Sequence, residues 1–149
     1  MIRNDLHVHS IRSLCGVHTL LEIVEIAAGK GMRSVNICDH GKASGKEIKF
    51  DVINNKRRFP RVIQSTQGKS VTVLTGIEAN ILDMDGNSDF PADQAREFDL
   101  VSAGFHSMAK ELASKKSPRI NTQALENYLK RYPLDILTHP CITAFPLDI

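Results

Sequence analysis

His7 and His9 stand two apart in Asp5-Leu6-His7-Val8-His9. On a strand, that spacing turns both imidazoles to one face and puts Asp5 on the same side. His40, His106 and His139 each follow a stretch that reads as strand, and Glu78 falls near the end of another. Five of the six histidines thus lie at or just beyond strand C-terminal ends, where parallel α/β architectures build their sites. Any one such histidine is more often a hydrogen-bonded core or loop residue. Recurrence at the same end of successive strands makes a metal site the better reading. Imidazoles joined by a carboxylate, with no thiolate cluster, suit zinc, manganese or iron.

Other chemistry-bearing patterns are weaker. Cys15, Cys38 and Cys141 are odd in number and lack a CxxC spacing, which argues against a disulfide framework and fits a reducing compartment. Cys38 reads as a small buried residue, whereas Cys15 and Cys141 each lie near a histidine. Gly41-Lys42-Ala43-Ser44-Gly45-Lys46-Glu47 has the look of a phosphate loop, but it is one residue short and lacks the magnesium-binding Ser/Thr. Asp83-Met84-Asp85-Gly86-Asn87 has its glycine at the wrong place for a calcium loop and no closing Glu, so a turn at Asp85-Gly86 is expected. No Gly-x-Ser-x-Gly occurs.

The elements that must position these residues alternate. Strands are expected over Asn4–His9, Ser34–Cys38, Val71–Ile81, Phe98–Gly104 and Leu134–Thr138. A helix is expected over Thr19–Lys30, opened by a capping box of Thr19 and Glu22 and closed by Gly31. A second is expected over Gln123–Tyr132, stopped by Pro133. Phe59–Gln67 reads as a short helix, and Lys42–Asn55 as irregular polar chain. Strand and helix in this rhythm imply βαβ units and a parallel sheet.

Composition sets the bounds. With 149 residues, 42% apolar and 24% charged, the chain reads as one globular domain with an ordinary core. No apolar run is long enough for a membrane span and no signal-peptide core is visible, so a cytoplasmic protein is expected. The net charge of +2 is uneven. Eight Lys or Arg against two acids lie between Lys42 and Lys69, Lys110–Arg119 adds three net positive charges, and the remainder is about −7. Such cation beside metal ligands suits an anionic substrate, although charge alone favours two solvated loops. With 5% aromatics and no stacking platform, nucleic acid is unsupported as a partner.

Taken in order, Asp5-Leu6-His7-Val8-His9-Ser10, Cys38-Asp39-His40-Gly41, Gly76-Ile77-Glu78-Ala79-Asn80-Ile81, Ala103-Gly104-Phe105-His106 and Thr138-His139-Pro140 resemble the successive motifs of the PHP (polymerase and histidinol phosphatase) family, closest to its small stand-alone phosphatases. The similarity runs along essentially the whole chain, including Asn121-Thr122-Gln123-Ala124. The ordered set is specific, whereas His-x-His alone is shared with amidohydrolases.

The resemblance implies a distorted seven-stranded (β/α) TIM-like barrel, of which residues 1–149 would be the N-terminal part, about five β/α units in a single domain incomplete at its C-terminus. It implies up to three divalent ions (Zn, Mn or Fe) at the C-terminal face. His7, His9 and Glu78 would hold the first, with Glu78 bridging to a second held by His106 and His139. His40 would belong to a third, with Cys15 or His18 beside it. Asp5 and Asp39 are expected behind these ligands. The family continues through two more strands that bring an Asp to the first metal and a His to the third, so fewer ions are expected here, and a chain that binds metal without turning over substrate is an expected outcome.

The implied activity is metal-dependent hydrolysis of a phosphomonoester by a metal-activated water, with Glu78 and His106 acting through the bound metal. The expected partner is a small phosphorylated substrate, gripped by Arg57, Arg58 and Arg61 or by Lys115, Lys116 and Arg119. A non-catalytic metal-binding or structural module is the rival reading. An amidohydrolase-type hydrolase is weaker, because no lysine sits on the fourth strand. An open barrel leaves an unpaired edge and exposed apolar surface, so self-association is expected, with the edge at the last strand as the candidate contact.

Overall fold

The computed structural model describes residues 2–13, 15–41 and 60–148. Strand β1 (Asn4–Val8) leads to helix α1 (Leu20–Gly29), then β2 (Ser34–His40), β3 (Val62–Gln64) and β4 (Ser70–Asn80). A 3-10 segment (Ala92–Glu97) precedes β5 (Leu100–Gly104), helices α2 (Lys110–Lys115) and α3 (Pro118–Leu129), and β6 (Ile136–Leu137). The sheet order is β1-β2-β4-β5-β6, each neighbouring pair parallel. The five expected strands are therefore present, in the expected parallel arrangement.

Beyond them, β3 pairs antiparallel with the N-terminal end of β4, Val62 opposite Thr72. This corrects the short helix expected over Phe59–Gln67. Val62 and Ile63 are β-branched, and β4 runs far enough below β5 to leave them an edge to pair with, since β5 engages β4 only from Gly76 onward. Phe59 and Lys42–Asn55 lie outside the described residues. Helix α3 begins at Pro118, five residues before the expected Gln123, with proline in its first turn where no amide is missed. The capping box of α1 forms as expected: Thr19 Oγ1 accepts from the Glu22 amide at 3.4 Å, and Glu22 accepts from the Thr19 amide at 2.7 Å.

Alternation along the strands sorts the side chains. Val35, Ile37, Val71 and Val73 pack against Ile23, Val24, Ala27 and Ala28 of α1, all buried. Ile77, Ala79, Val101 and Ala103 pack against Leu112 of α2 and Ala124, Leu125 and Tyr128 of α3. The interleaved positions, Asn36, Cys38, His40, Gly76, Glu78, Asn80, Ser102 and Gly104, are small or polar and face the other way. Room there is tight: a Cβ on Gly76 would lie 2.6 Å from the Asn36 amide group.

That inner face is concave. A flat sheet would hold β1 and β6 roughly 19 Å apart, four spacings of about 4.8 Å. The rings of His7 on β1 and His139 after β6 are only 6.4 Å apart between centroids. The result is a mixed α/β fold with a curled parallel sheet, a half-barrel with helices outside. Among the described residues no helix is long and apolar enough to cross a membrane.

Candidate metal centre

Glu78 lies near the C-terminal end of the central strand, in register with His40 on β2 and Ser102 on β5. It is 1% exposed, and each of its oxygens faces a different pair of histidines. Oε1 is 3.2 Å from His139 Nε2 and 3.3 Å from His106 Nε2, and those nitrogens are 3.2 Å apart. Oε2 is 3.1 Å from His9 Nε2 and 3.6 Å from His7 Nε2, with 3.0 Å between the nitrogens. His40 Nδ1 also reaches Oε2, at 3.1 Å.

These separations can be tested against a metal. Ligand atoms 2.0–2.1 Å from a tetrahedral ion stand about 3.3 Å from one another. The Glu78–His106–His139 triangle has sides of 3.2, 3.3 and 3.2 Å, and the Glu78–His7–His9 triangle is a slightly skewed version of it. Three donor atoms at such spacing could hold one divalent ion at each triangle. Glu78 Oε2 is buried without a well-formed hydrogen bond, a costly state for a carboxylate oxygen unless a cation faces it. The donor set fits divalent metal.

The electrostatics agree. Burial alone would push the Glu78 carboxyl up, but the imidazoles of His106, His139 and His9 and the Thr138 hydroxyl outweigh it and hold the group well below the usual carboxylate range. Burial lowers the pKa of His7, opposed by Glu78 and reinforced by His9 and His139, which favours the neutral ring that a ligand must be.

Local structure places each histidine. Three residues of β1 span two of β2, because Asp5 pairs with Val35 and Val8 with Ile37. This bulge breaks the alternation, so by register Asp5 does not share the face of His7 and His9. Its carboxylate instead accepts the His7 amide at 3.2 Å. Asp39, 3% exposed, accepts from the Ser10 amide at 2.7 Å and from the Ser10 hydroxyl, pinning the turn directly after His9. Both aspartates therefore support the site through backbone contacts. His139 adopts a left-handed φ of 33°, a conformation costing about 1–3 kcal/mol in a non-glycine residue. Gly104 makes room for it, since a Cβ there would lie 2.2 Å from Thr138 Oγ1 and 2.8 Å from the His139 ring.

Of the alternatives Cys15 and His18, the structure sets Cys15, itself exposed, beside two of the histidines. Its sulfur and nitrogens of His9 and His40 lie within 4.8 Å of one another. His18 joins no such group among the described residues; it lies on the turn before α1, where its carbonyl accepts from the Ile11 amide. Cys38, read from sequence as a small buried residue, is fully buried and falls within the same distance of His7 and His9. The signal available was its place two residues before His40 on one strand.

The expected substrate-gripping cations are scattered. Arg61 pairs with Asp99, at the N-terminal end of β5 and thus away from the strand ends that carry the histidines. Arg57 and Arg58 lie outside the described residues. Lys115 pairs with Glu111 at 2.7 Å, and Lys116 is the left-handed cap of α2. Beside the His106–His139 pair opens a cavity of about 570 Å³. Neither Lys115, Lys116 nor Arg119 lines it, whereas Lys110 does. Sequence reasoning counted Lys110 into the positive segment but did not single it out.

Comparison with known proteins agrees with this constellation. Residues 5–144 match the PHP domain. A "probable phosphatase" of Shewanella sp. (strain W3-18-1) is 35% identical over 145 residues, covering 97% of this chain and 55% of the relative. A protein of the same description from Shewanella piezotolerans is 36% identical, with 97% and 56% covered. The chain thus spans about half the length of the curated relatives it matches. With all five motifs inside the matched span, the chain belongs to the PHP domain family.

Proposed function

We propose that this chain carries the metal-binding part of a metal-dependent phosphomonoesterase acting on a small phosphorylated substrate. The half-barrel is then the N-terminal five β/α units of a distorted seven-stranded barrel, a reading supported by five parallel strands in a chain about half its relatives' length. The observation that carries the function is Glu78, with one oxygen toward His7 and His9 and the other toward His106 and His139.

In this reading His7, His9 and Glu78 hold one divalent ion, and His106, His139 and Glu78 a second. His40 with Cys15 contributes to a third position. Bound zinc, manganese or iron would supply Lewis acidity toward phosphoryl oxygens and an acidified water. The residues do the rest. Glu78, kept ionised in a buried site, joins the two ligand sets through one rigid carboxylate. Ser10 and Asp39 hold the turn that aims His9, and Lys110 adds a cation to the cavity wall. Overall, the ester P–O bond is cleaved by water, giving inorganic phosphate and an alcohol.

An amidohydrolase is disfavoured because β5, Leu-Val-Ser-Ala-Gly, carries no lysine. The test is metal content together with hydrolysis of 4-nitrophenyl phosphate in added manganese or zinc. Bound metal is expected, and turnover is the further result that supports the phosphoesterase reading. Metal without turnover favours a non-catalytic metal-binding module, and a protein that takes up no metal sinks the site.

We also propose self-association. Among the described residues β1 and β6 have one strand neighbour each, and Leu6 on β1 and Ile2 just before it are exposed. A dimer or larger species is expected in sedimentation velocity at micromolar concentration; a strict monomer counts against it.

A further inference from the structure

The cavity of about 570 Å³ beside the His106–His139 pair has a composition that the hydrolysis of a phosphate group does not require. Three of the histidines, His40, His106 and His139, form part of its wall, so it is continuous with the candidate metal centre. The remaining wall is largely apolar. Phe105 and Phe145 are stacked at 5.6 Å, 20° from parallel, and buried. Met108, Ala113, Ile142 and Ala144 extend that surface, with Ser107 and Lys110 its polar members besides the histidines. Its volume falls in the range that accommodates a small molecule.

A phosphoryl group held at the His106–His139–Glu78 triangle must send its ester substituent somewhere, and this concavity adjoins the triangle directly. A polyhydroxylated substituent would lose its hydration against Phe105, Phe145 and Ile142 with few groups to replace it. An apolar one would gain by burial. We propose that the cavity receives the organic portion of the substrate, and that the preferred substrates are phosphomonoesters of aromatic or other apolar alcohols. This rests on the phosphoesterase reading and adds the substrate class to it.

Isothermal calorimetry on the zinc- or manganese-loaded chain tests it, with inorganic phosphate and the non-hydrolysable phosphonate analogues of 1-naphthyl phosphate and glycerol 2-phosphate as probes, named below by the esters they mimic. The expected result is naphthyl phosphate bound about tenfold tighter than glycerol phosphate, a difference of about 1.4 kcal/mol. Ala113→Phe, which fills the cavity, is expected to bring that ratio to within about twofold. Ile142→Ser, at a position already 39% exposed, is expected to narrow it with little risk to folding.

A ratio near one in the unaltered chain overturns the inference, as does a preference that survives both substitutions. Naphthyl phosphate affinity that weakens as protein concentration rises would assign the cavity to a second copy of the chain, with the same consequence. Phosphate bound without preference among esters defeats this inference alone. A loaded chain that binds neither phosphate nor any ester defeats the phosphoesterase reading and this inference with it.

Discussion

Glu78 is the residue on which the centre turns, because a single buried carboxylate faces two histidine pairs at once. Glu78→Gln preserves volume but removes the charge and gives one oxygen a hydrogen-bond donor in its place. Metal affinity is expected to drop on the order of 100-fold, with activity following it, since ligand binding needs the deprotonated group. Metal content after dialysis reads this directly, and retention of a full complement by the variant would remove Glu78 from the ligand set. His7 and His9 could be set on one face from strand periodicity, and His106 and His139 could be singled out by their places just past strand ends. Asp5 was misjudged from the same periodicity: the bulge between Asp5 and Val8 breaks the period, and no local residue preference marks it. Lys110 was passed over because charge in a sequence carries no direction.

At the scale of elements, the ends of β5 and β6 must sit close enough for His106 and His139 to meet. Gly104→Ala would set a Cβ 2.2 Å from Thr138 Oγ1. A loss of about 1–3 kcal/mol is expected from overpacking, together with weaker metal binding, both measurable by thermal melts with and without zinc. Unchanged metal affinity would show that the β6 loop yields without moving His139.

The opposite end of the sheet offers a pH prediction. Burial pushes Asp99 up, but the Thr75 amide and hydroxyl, at 2.7 and 3.0 Å, and Arg61 prevail and lower its pKa below the ordinary 3.8. A carboxyl depressed in the folded state contributes stability above its ordinary pKa, and that contribution is lost as pH falls through the folded value. Asp99→Asn is therefore expected to destabilise by about 1–2 kcal/mol at pH 7, the worth of hydrogen bonds to a charged acceptor. The gap should close below pH 3.8, and a gap that persists in acid would assign the loss to packing. The helix cap at Thr19 and the places of the five parallel strands were readable here from local patterns. The pairing of β3 was not, because a strand of three residues owes its form to the exposed edge of β4.

For the whole molecule, candidate ligands on or just beyond β1, β2, β4, β5 and β6 would link metal binding to folding. Ion bound to the folded state alone adds about 2.7 kcal/mol at one hundred times its dissociation constant. Zinc or manganese should raise the melting temperature and a chelator should return it, as followed by circular dichroism. A melting temperature indifferent to both would mean that the strands are not tied together by metal.

The sequence by itself determined the type and order of the main elements, the face on which the histidines lie and the chemistry their side chains suit, because those follow from short-range periodicity and from ligand chemistry. It did not determine how far the sheet curls. That depends on two apolar clusters packing helices against one face while the inner face stays small and polar. Curvature brings His7 within 6.4 Å of His139, turns Cys15 rather than His18 toward His9 and His40, and hollows the apolar cavity beside His106. Tertiary structure decided these because each depends on residues far apart in the chain meeting across a bent surface.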